Sequence, residues 1–532
     1  MADRQMRPLG AQISHMLKDR GVDVIFGIPG VHNQEMYRGI EEAGITHVLA
    51  RHEQGAGFMA DGYARASGKV GVAYVITGPG LCNIMTPMGQ AYSDSVPMLV
   101  ISSCLDETAA TRGQLHQMKD QQAAAETVCD WSEEARTPEA AYTLINRAFM
   151  EFHTLRARPK HIQVPIAQLQ APAAPQNRSD MGLSDGVEQI DAMLAPVISH
   201  MIRRAKRPLF VFGGGARDAA PDIRAFLEIC PVPVFTTYAG RGVVPPGYPW
   251  LFGSYLARPD SATIFAQADL VIAVGTELAE VDLWRDQLGQ AAKLVRIDID
   301  PEALSGSAGN THRFKAAAHT VFRVLKEERD MPGAFAWTVD QITTTRARWR
   351  TETDAERPGI VPLCDALRAA VPSDTMIYSD MTQFAYVAKE VWDMDHPGHW
   401  HHPYGFGTLG YATPAAIGGA VARPGQPTMA IIGDYGFHYT MAELGVAVEL
   451  GLPIPIILWD NGKLKEIEDS MTRAQIAPNA VIARNPDFVK LAEAFGARAT
   501  APGTIAQMQE DVKTAFKADR PTLIYITPNL TA

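Results

Sequence analysis

A carboxylate and an amide, Asp434 and Asn461, stand 27 residues apart in a stretch that would bring them together. Gly433-Asp434-Tyr435-Gly436-Phe437 follows an apolar run from Met429 to Ile432. A helix-like segment comes next, with Ala442, Leu444 and Val448 on its apolar side, and a second apolar run leads into Asn461. Strand, turn, helix and strand make a βαβ unit, which sets the carboxyl ends of two parallel strands side by side. One carboxylate and one amide oxygen then converge on a point. Mg²⁺ takes few protein oxygens and completes its octahedron with phosphates and water, so this pair suits it. The glycines and the helix start supply backbone N–H groups for the phosphates. A Gly-Asp turn alone is common in α/β proteins. The spacing to Asn461 gives this one its meaning.

The N-terminal third holds a second set of chemical groups. Val24 to Gly30 reads as a strand entering a Gly/Pro turn. A short strand, His47 to Ala50, leads to Arg51-His52-Glu53, and Glu53 opens a helix of small residues that runs to Ser67. Strand Val70 to Ile76 enters the turn Thr77-Gly78-Pro79-Gly80, with Asn83 on the helix that follows. A lone glutamate at a helix start ordinarily complements the dipole. Here it stands beside a second glycine turn.

Together these residues resemble the thiamine-diphosphate enzymes of the acetolactate synthase, pyruvate decarboxylase and benzoylformate decarboxylase group, and the likeness runs along the whole chain. The resemblance implies an α/β protein of three doubly wound domains with parallel sheets: pyrimidine-binding, middle and diphosphate-binding. In that group the helix-opening glutamate, here Glu53, bonds the aminopyrimidine ring and promotes loss of the thiazolium C2 proton. Asp434, Asn461 and the carbonyl of Lys463 would hold Mg²⁺. Gly78, Asn83, Thr382, Gln383, Gly407, Gly433, Tyr435 and Gly436 would contact the cofactor. In Gly405-Phe-Gly407-Thr-Leu409-Gly410, Leu409 falls where the group carries the apolar residue that keeps the cofactor bent. Two departures stand out. Tyr435 replaces the usual glycine after the aspartate, as it does in glyoxylate carboligase, and Asp460 replaces a common asparagine, adding a carboxylate near the metal.

In these relatives a 2-oxo acid loses CO₂, after which the acyl carbon either takes a proton, giving an aldehyde, or joins a second carbonyl. The loop Gly113-Gln-Leu-His116-Gln117 matches the place where acetolactate synthase has Phe-Gln. His116 replaces the phenylalanine and can supply a proton near neutral pH, and Gln117 keeps the amide. His52 is a second proton-relay candidate. Gly27-Ile-Pro-Gly-Val-His32, the segment around Glu53 and Leu115-His-Gln-Met-Lys-Asp-Gln121 resemble the 5-guanidino-2-oxopentanoate (2-ketoarginine) decarboxylases. A guanidinium needs a carboxylate partner. Glu466, Glu468 and Asp469 are candidates, against a plain reading as a solvated acidic helix face. Decarboxylation is the expected reaction, with an acetolactate-synthase-like carboligase as the alternative and a non-catalytic scaffold as a third reading.

A chain of 532 residues suits about three domains. A net charge of −11 argues against nucleic acid or an anionic membrane as partner. A polar start and no long apolar run predict a cytoplasmic protein without a membrane span. The five cysteines show no metal or CxxC spacing and read as buried thiols. Pro-rich or polar stretches at 170–177 and Asp354–Pro358 suggest domains over 1–170, 190–345 and 358–532. Gly213-Gly-Gly215 in the middle domain is a tight turn, not GxGxxG. Gly275-Thr-Glu-Leu-Ala-Glu-Val lacks the Arg-Phe-Asp pattern of flavin-carrying relatives, so FAD is not expected. The resemblance implies a homodimer or homotetramer, with each site shared between the first domain of one subunit and the third of another.

Overall fold

The computed structural model describes residues 5–107, 112–176, 193–305 and 310–530. The expected start of the middle domain at 190 lies outside them. The chain forms two compact units: residues up to 181 with 376–382 and everything from 402, and residues 182–375 with 383–401.

The first unit carries two parallel sheets. In the N-terminal one the strands lie in the order Thr46–Leu49, Val24–Gly27, Gly71–Val75, Met98–Cys104, Lys160–Pro165 and Trp131–Glu134. In the C-terminal one Met376–Ser379, Thr428–Gly433, Pro455–Trp459, Thr522–Ile526 and Arg498–Thr500 follow one another in the same relative order as their five counterparts. Central strands such as Gly71–Val75 and Thr428–Gly433 are buried throughout, because helices cover both faces of a parallel sheet. The second unit holds a third parallel sheet, ordered Leu251–Gly253, Val234–Thr236, Pro208–Phe212, Leu270–Val274, Lys293–Asp298 and Thr311–Lys315. Phe210, Phe212, Phe226 and Phe322 pack together on one of its faces.

Two helices lock the sheets of the first unit together. Glu53–Ser67 and Ala412–Ala422 cross on small residues. A Cβ at Gly62 would meet the Ala415 carbonyl at 2.0 Å, and one at Gly418 the Met59 carbonyl at 1.9 Å. Polar ties flank the crossing: Tyr378 donates to the Gly62 carbonyl at 2.8 Å and Tyr411 to Asp61 at 2.7 Å. Arg65, itself almost fully buried, bridges Asp61 and Asp94.

Some expectations change. The segment after Asp434 is not one helix: Asp434–Thr440 and Leu444–Glu449 are joined by a 3₁₀ turn, Met441–Glu443. That turn rotates the face, so Ala442 is exposed and Glu443 is buried. The polar stretch from Asp354 is no linker up to Glu356, because the helix Val339–Glu356 runs through it with Ile342, Trp349 and Thr353 buried. It stops where Arg357 precedes Pro358, a pairing that disfavours helix. The start of the first linker pairs in the fold, Pro172–Ala173 lying antiparallel to Arg7–Pro8. Cys104, Cys129, Cys230 and Cys364 are buried as expected, but Cys82 is exposed. Among the described residues no helix is long and apolar enough to cross a membrane.

Candidate active site

Strands Thr428–Gly433 and Pro455–Trp459 pair in register, with Gly433 opposite Trp459. Both chains turn off the sheet at the next residue, so Asp434 and Asp460 leave neighbouring strand ends together. Asp434 opens its helix and is 4% exposed. Asn485, which sequence reasoning did not single out, donates its Nδ2 to Asp434 at 2.7 Å and to Asp460 at 2.9 Å. Tyr525 donates to the other Asp460 oxygen at 2.9 Å. Burial and the nearby Asp460 charge push the Asp434 carboxyl up to about 6. Asn461 follows, its side-chain oxygen accepting the Lys463 N–H at 3.2 Å. The Lys463 backbone also bridges to Ile482. Hard oxygens crowded on one another's charge at paired strand ends form a donor set suited to a divalent cation.

Thr382 stands against Gly433, where a Cβ would meet its side chain at 3.1 Å, and Gly436 lies over the Asp380 carboxylate. Gln383 begins the helix Gln383–Val391, which belongs to the second unit. Tyr435 is half-buried beside Asp434. The turn that carries Leu409 is held at the next residue by two bonds. Gly410 donates its N–H to Asp380 at 2.9 Å, and its carbonyl accepts from Thr440 at 2.8 Å. Gly407 and Gly410 take φ of 68° and 84°, in the region that glycine enters freely. Burial pushes Asp380 up to about 6, opposed by the N–H groups of Met381, Ala412, Gly410 and Tyr411. Asp380 is therefore the brace of the Leu409 turn, another residue the sequence did not reveal.

The N-terminal groups assemble around the strand Gly71–Val75. Glu53 is 8% exposed and accepts from Asn83 Nδ2 at 2.8 Å, so these two predicted residues meet. His52 caps the helix by accepting the Gln54 N–H at 3.1 Å and is exposed. Its visible task is structural. Gly78 has φ 73° and donates its N–H to Gln121 at 2.8 Å. The Gln121 amide reaches Ser102, which bonds His161, and His161 in turn bonds Ser132. Burial holds His161 down to about 3, so this supporting chain is neutral. A Cβ at Gly78 would meet the His116 carbonyl at 2.3 Å, which brings His116 onto the same turn. Gln117 is exposed, and its side-chain oxygen closes the loop by accepting the Gln114 N–H at 3.0 Å.

Glu443 links the two sets. Its carboxylate accepts the backbone N–H of Arg51 at 3.1 Å and of His52 at 2.9 Å, just before Glu53. It is fully buried, and burial pushes it up to about 7. An unfolded chain ionises this group from about 4.5. Its contribution to stability is therefore whole below that pH and is lost as pH rises through about 7. Glu443→Gln removes this titration. Between pH 4.5 and 8 the unfolding free energy of the variant should gain roughly 3 kcal/mol on that of the wild type. Denaturant unfolding at the two pH values checks this, and parallel pH dependences in the two proteins would refute it.

The helix Lys465–Arg473 has no buried residue. Glu468 pairs with Lys463 at 3.1 Å, and Asp469 pairs with Lys465. Glu466 is half-buried on the same helix.

Three family models match the chain. The N-terminal TPP binding domain of thiamine pyrophosphate enzymes covers residues 7–124, the central domain 197–325 and the C-terminal TPP binding domain 380–526. The chain is 39% identical to the "Probable 2-ketoarginine decarboxylase AruI" of Pseudomonas aeruginosa, over 97% of this chain and 93% of that one. It is 27% identical to the acetolactate synthase isozyme 2 large subunit of Escherichia coli, over 97% and 95%. It is 28% identical to the acetolactate synthase large subunit of Parasynechococcus marenigrum, over 97% and 86%.

Proposed function

We propose that this chain, which belongs to the thiamine pyrophosphate enzymes, decarboxylates a 2-oxo acid without oxidation, and that 5-guanidino-2-oxopentanoate is its substrate, giving CO₂ and an aldehyde. The near-full-length likeness to a 2-ketoarginine decarboxylase carries this reading. Bound thiamine diphosphate supplies a carbon nucleophile and an electron sink. The residues of this chain do the rest. Asp434, Asn461 and the Lys463 carbonyl would hold Mg²⁺. Gly433, Tyr435 and Gly436 would contact the diphosphate, and Gly78, Asn83, Thr382 and Gly407 would contribute further cofactor contacts. Leu409, on the turn braced by Asp380 and Thr440, would support the bound cofactor. Glu53, oriented by Asn83, shares a proton with the ring. His116 would supply the proton that the aldehyde product requires, and Gln117 would orient the substrate. The active species is a homodimer or homotetramer in the cytoplasm, built from domains 1–170, 190–345 and 358–532.

CO₂ release across a panel of 2-oxo acids, with product identification, tests the reaction. Fastest turnover of the guanidino acid with an aldehyde product is expected. An acyloin product would establish the carboligase instead. On this reading Glu466, half-buried on the helix just after the Asn461–Lys463 segment, pairs with the guanidinium. Losing a charge-assisted contact costs roughly 1.5–3 kcal/mol, about ten- to a hundred-fold in kcat/KM. Glu466→Gln should show that loss for the guanidino acid and little change for a neutral 2-oxo acid of similar length. Equal losses on both substrates would assign Glu466 a structural role.

A further inference from the structure

We propose that His32 and His116 act as one proton-holding pair, with His32 the positioning residue that sets when His116 carries the proton it delivers. The inference rests on the decarboxylase reading above. The two rings meet edge to face, with centroids 4.8 Å apart at 69°. Each presents a buried Nδ1 with no hydrogen-bond partner among the described residues. Both loops lean on one turn. The Gly30 N–H bonds Asn33 Oδ1 at 2.8 Å, and a Cβ at Gly30 would meet the Ile76 side chain at 2.2 Å. Two residues on, Gly78 lies against the His116 carbonyl. His116 itself is held at φ 63°, a left-handed conformation that costs a non-glycine residue about 1–3 kcal/mol. Such strain persists only where the surroundings enforce it, and in this conformation the ring of His116 meets that of His32.

Two imidazoles this close repel when both are charged, so they titrate as a pair. Burial holds the His32 imidazole below its ordinary range, the His116 charge depresses it further, and Asp106 opposes both. The pair therefore takes up a second proton only against repulsion, and the first is the one delivered. That proton leaves an imidazole nitrogen as a C–H bond forms at the acyl carbon, and solvent restores it afterwards. A single histidine would protonate according to its own exposure. The pair makes a second proton costly, which keeps the loop from becoming doubly charged beside a cationic substrate.

The test uses full-length protein labelled in its histidines. In the cofactor-free wild type, the His32 resonance (identified by its loss in His32→Asn) should titrate below the ordinary histidine range. In His116→Asn it should move up towards that range. An identical His32 titration in wild type and His116→Asn overturns the pair, and this holds whether or not any 2-oxo acid is turned over. With cofactor and substrate, His32→Asn should lower kcat about tenfold and shift its pH profile while leaving KM unchanged. An unchanged kcat and pH profile would also overturn the proposal. Should His32→Asn fail to fold, the His116→Asn titration decides, with the His32 resonance identified through His32→Gln. A wild type that turns over no 2-oxo acid refutes the proposed function, and the titration still shows whether the two rings share a proton.

Discussion

Glu53→Gln is expected to bind thiamine diphosphate yet to exchange the C2 proton of the thiazolium at least ~100-fold more slowly than the wild type. The side chain is nearly sealed from water and already oriented by Asn83. Glutamine fills the same space, so binding and fold should change little. What it cannot do is hold a mobile proton between its oxygen and a ring nitrogen. Turnover should fall by a similar factor, because proton removal at C2 precedes every later step. Hydrogen–deuterium exchange of the bound cofactor, followed by NMR after acid quench, measures the step directly. Exchange at the wild-type rate would remove Glu53 from this role.

Asp434→Ala should abolish Mg²⁺-dependent cofactor binding, weakening it by more than roughly 100-fold. Asp434 is buried at the strand end and crowded by Asp460, an arrangement that favours a divalent cation. Removing one carboxylate relieves that crowding, and Asn485 keeps its bond to Asp460, so the apo fold should survive. The contrast is visible without an activity assay. Ligand at a hundred times its Kd stabilises a protein by about 2.7 kcal/mol. Wild type should therefore melt at a higher temperature with cofactor and Mg²⁺ together than with either alone, and Asp434→Ala should show no such rise. An equal rise in both proteins would refute the metal assignment.

Much of this arrangement was legible in the chain. The βαβ unit from Thr428 to Trp459 showed itself because buried parallel strands are continuous apolar runs bounded by glycine turns. Gly78 lies in the turn after such a run, Asn83 on the helix that follows it and Glu53 at the helix start after a short, partly exposed strand, so the family resemblance had to single them out. What escaped were residues that act across long sequence separations. Glu443 reads as an ordinary helix glutamate, and only the 3₁₀ turn before Leu444 aims it at Arg51 and His52, 392 and 391 residues away. Asp380 and Asn485 escaped likewise, as lone polar residues outside any spacing. The helix through Asp354 was hidden by its polarity: few of its residues are buried, so it carries little apolar rhythm. The capping role of His52 was not legible either, since histidine is not a customary N-cap residue.

The crossing of Glu53–Ser67 on Ala412–Ala422 has a consequence for how such a protein diversifies. One helix begins at Glu53 and the other just after Leu409, and backbone meets backbone where they touch. At Gly62 and Gly418 the contact has no flexible side chain to give way, so a methyl at either would force the two helices apart and shift both groups at once. The crossing is thus a fixed hinge pin, intolerant of drift. The loops at 30–33 and 113–118, apart from His32, His116 and Gln117, and the segment 464–484 with its exposed helix Lys465–Arg473 lie away from it and can change without disturbing it. A new substrate side chain can be accommodated by altering those loops alone. Directed evolution for other 2-oxo acids should therefore collect its substitutions there and leave the glycine crossing untouched.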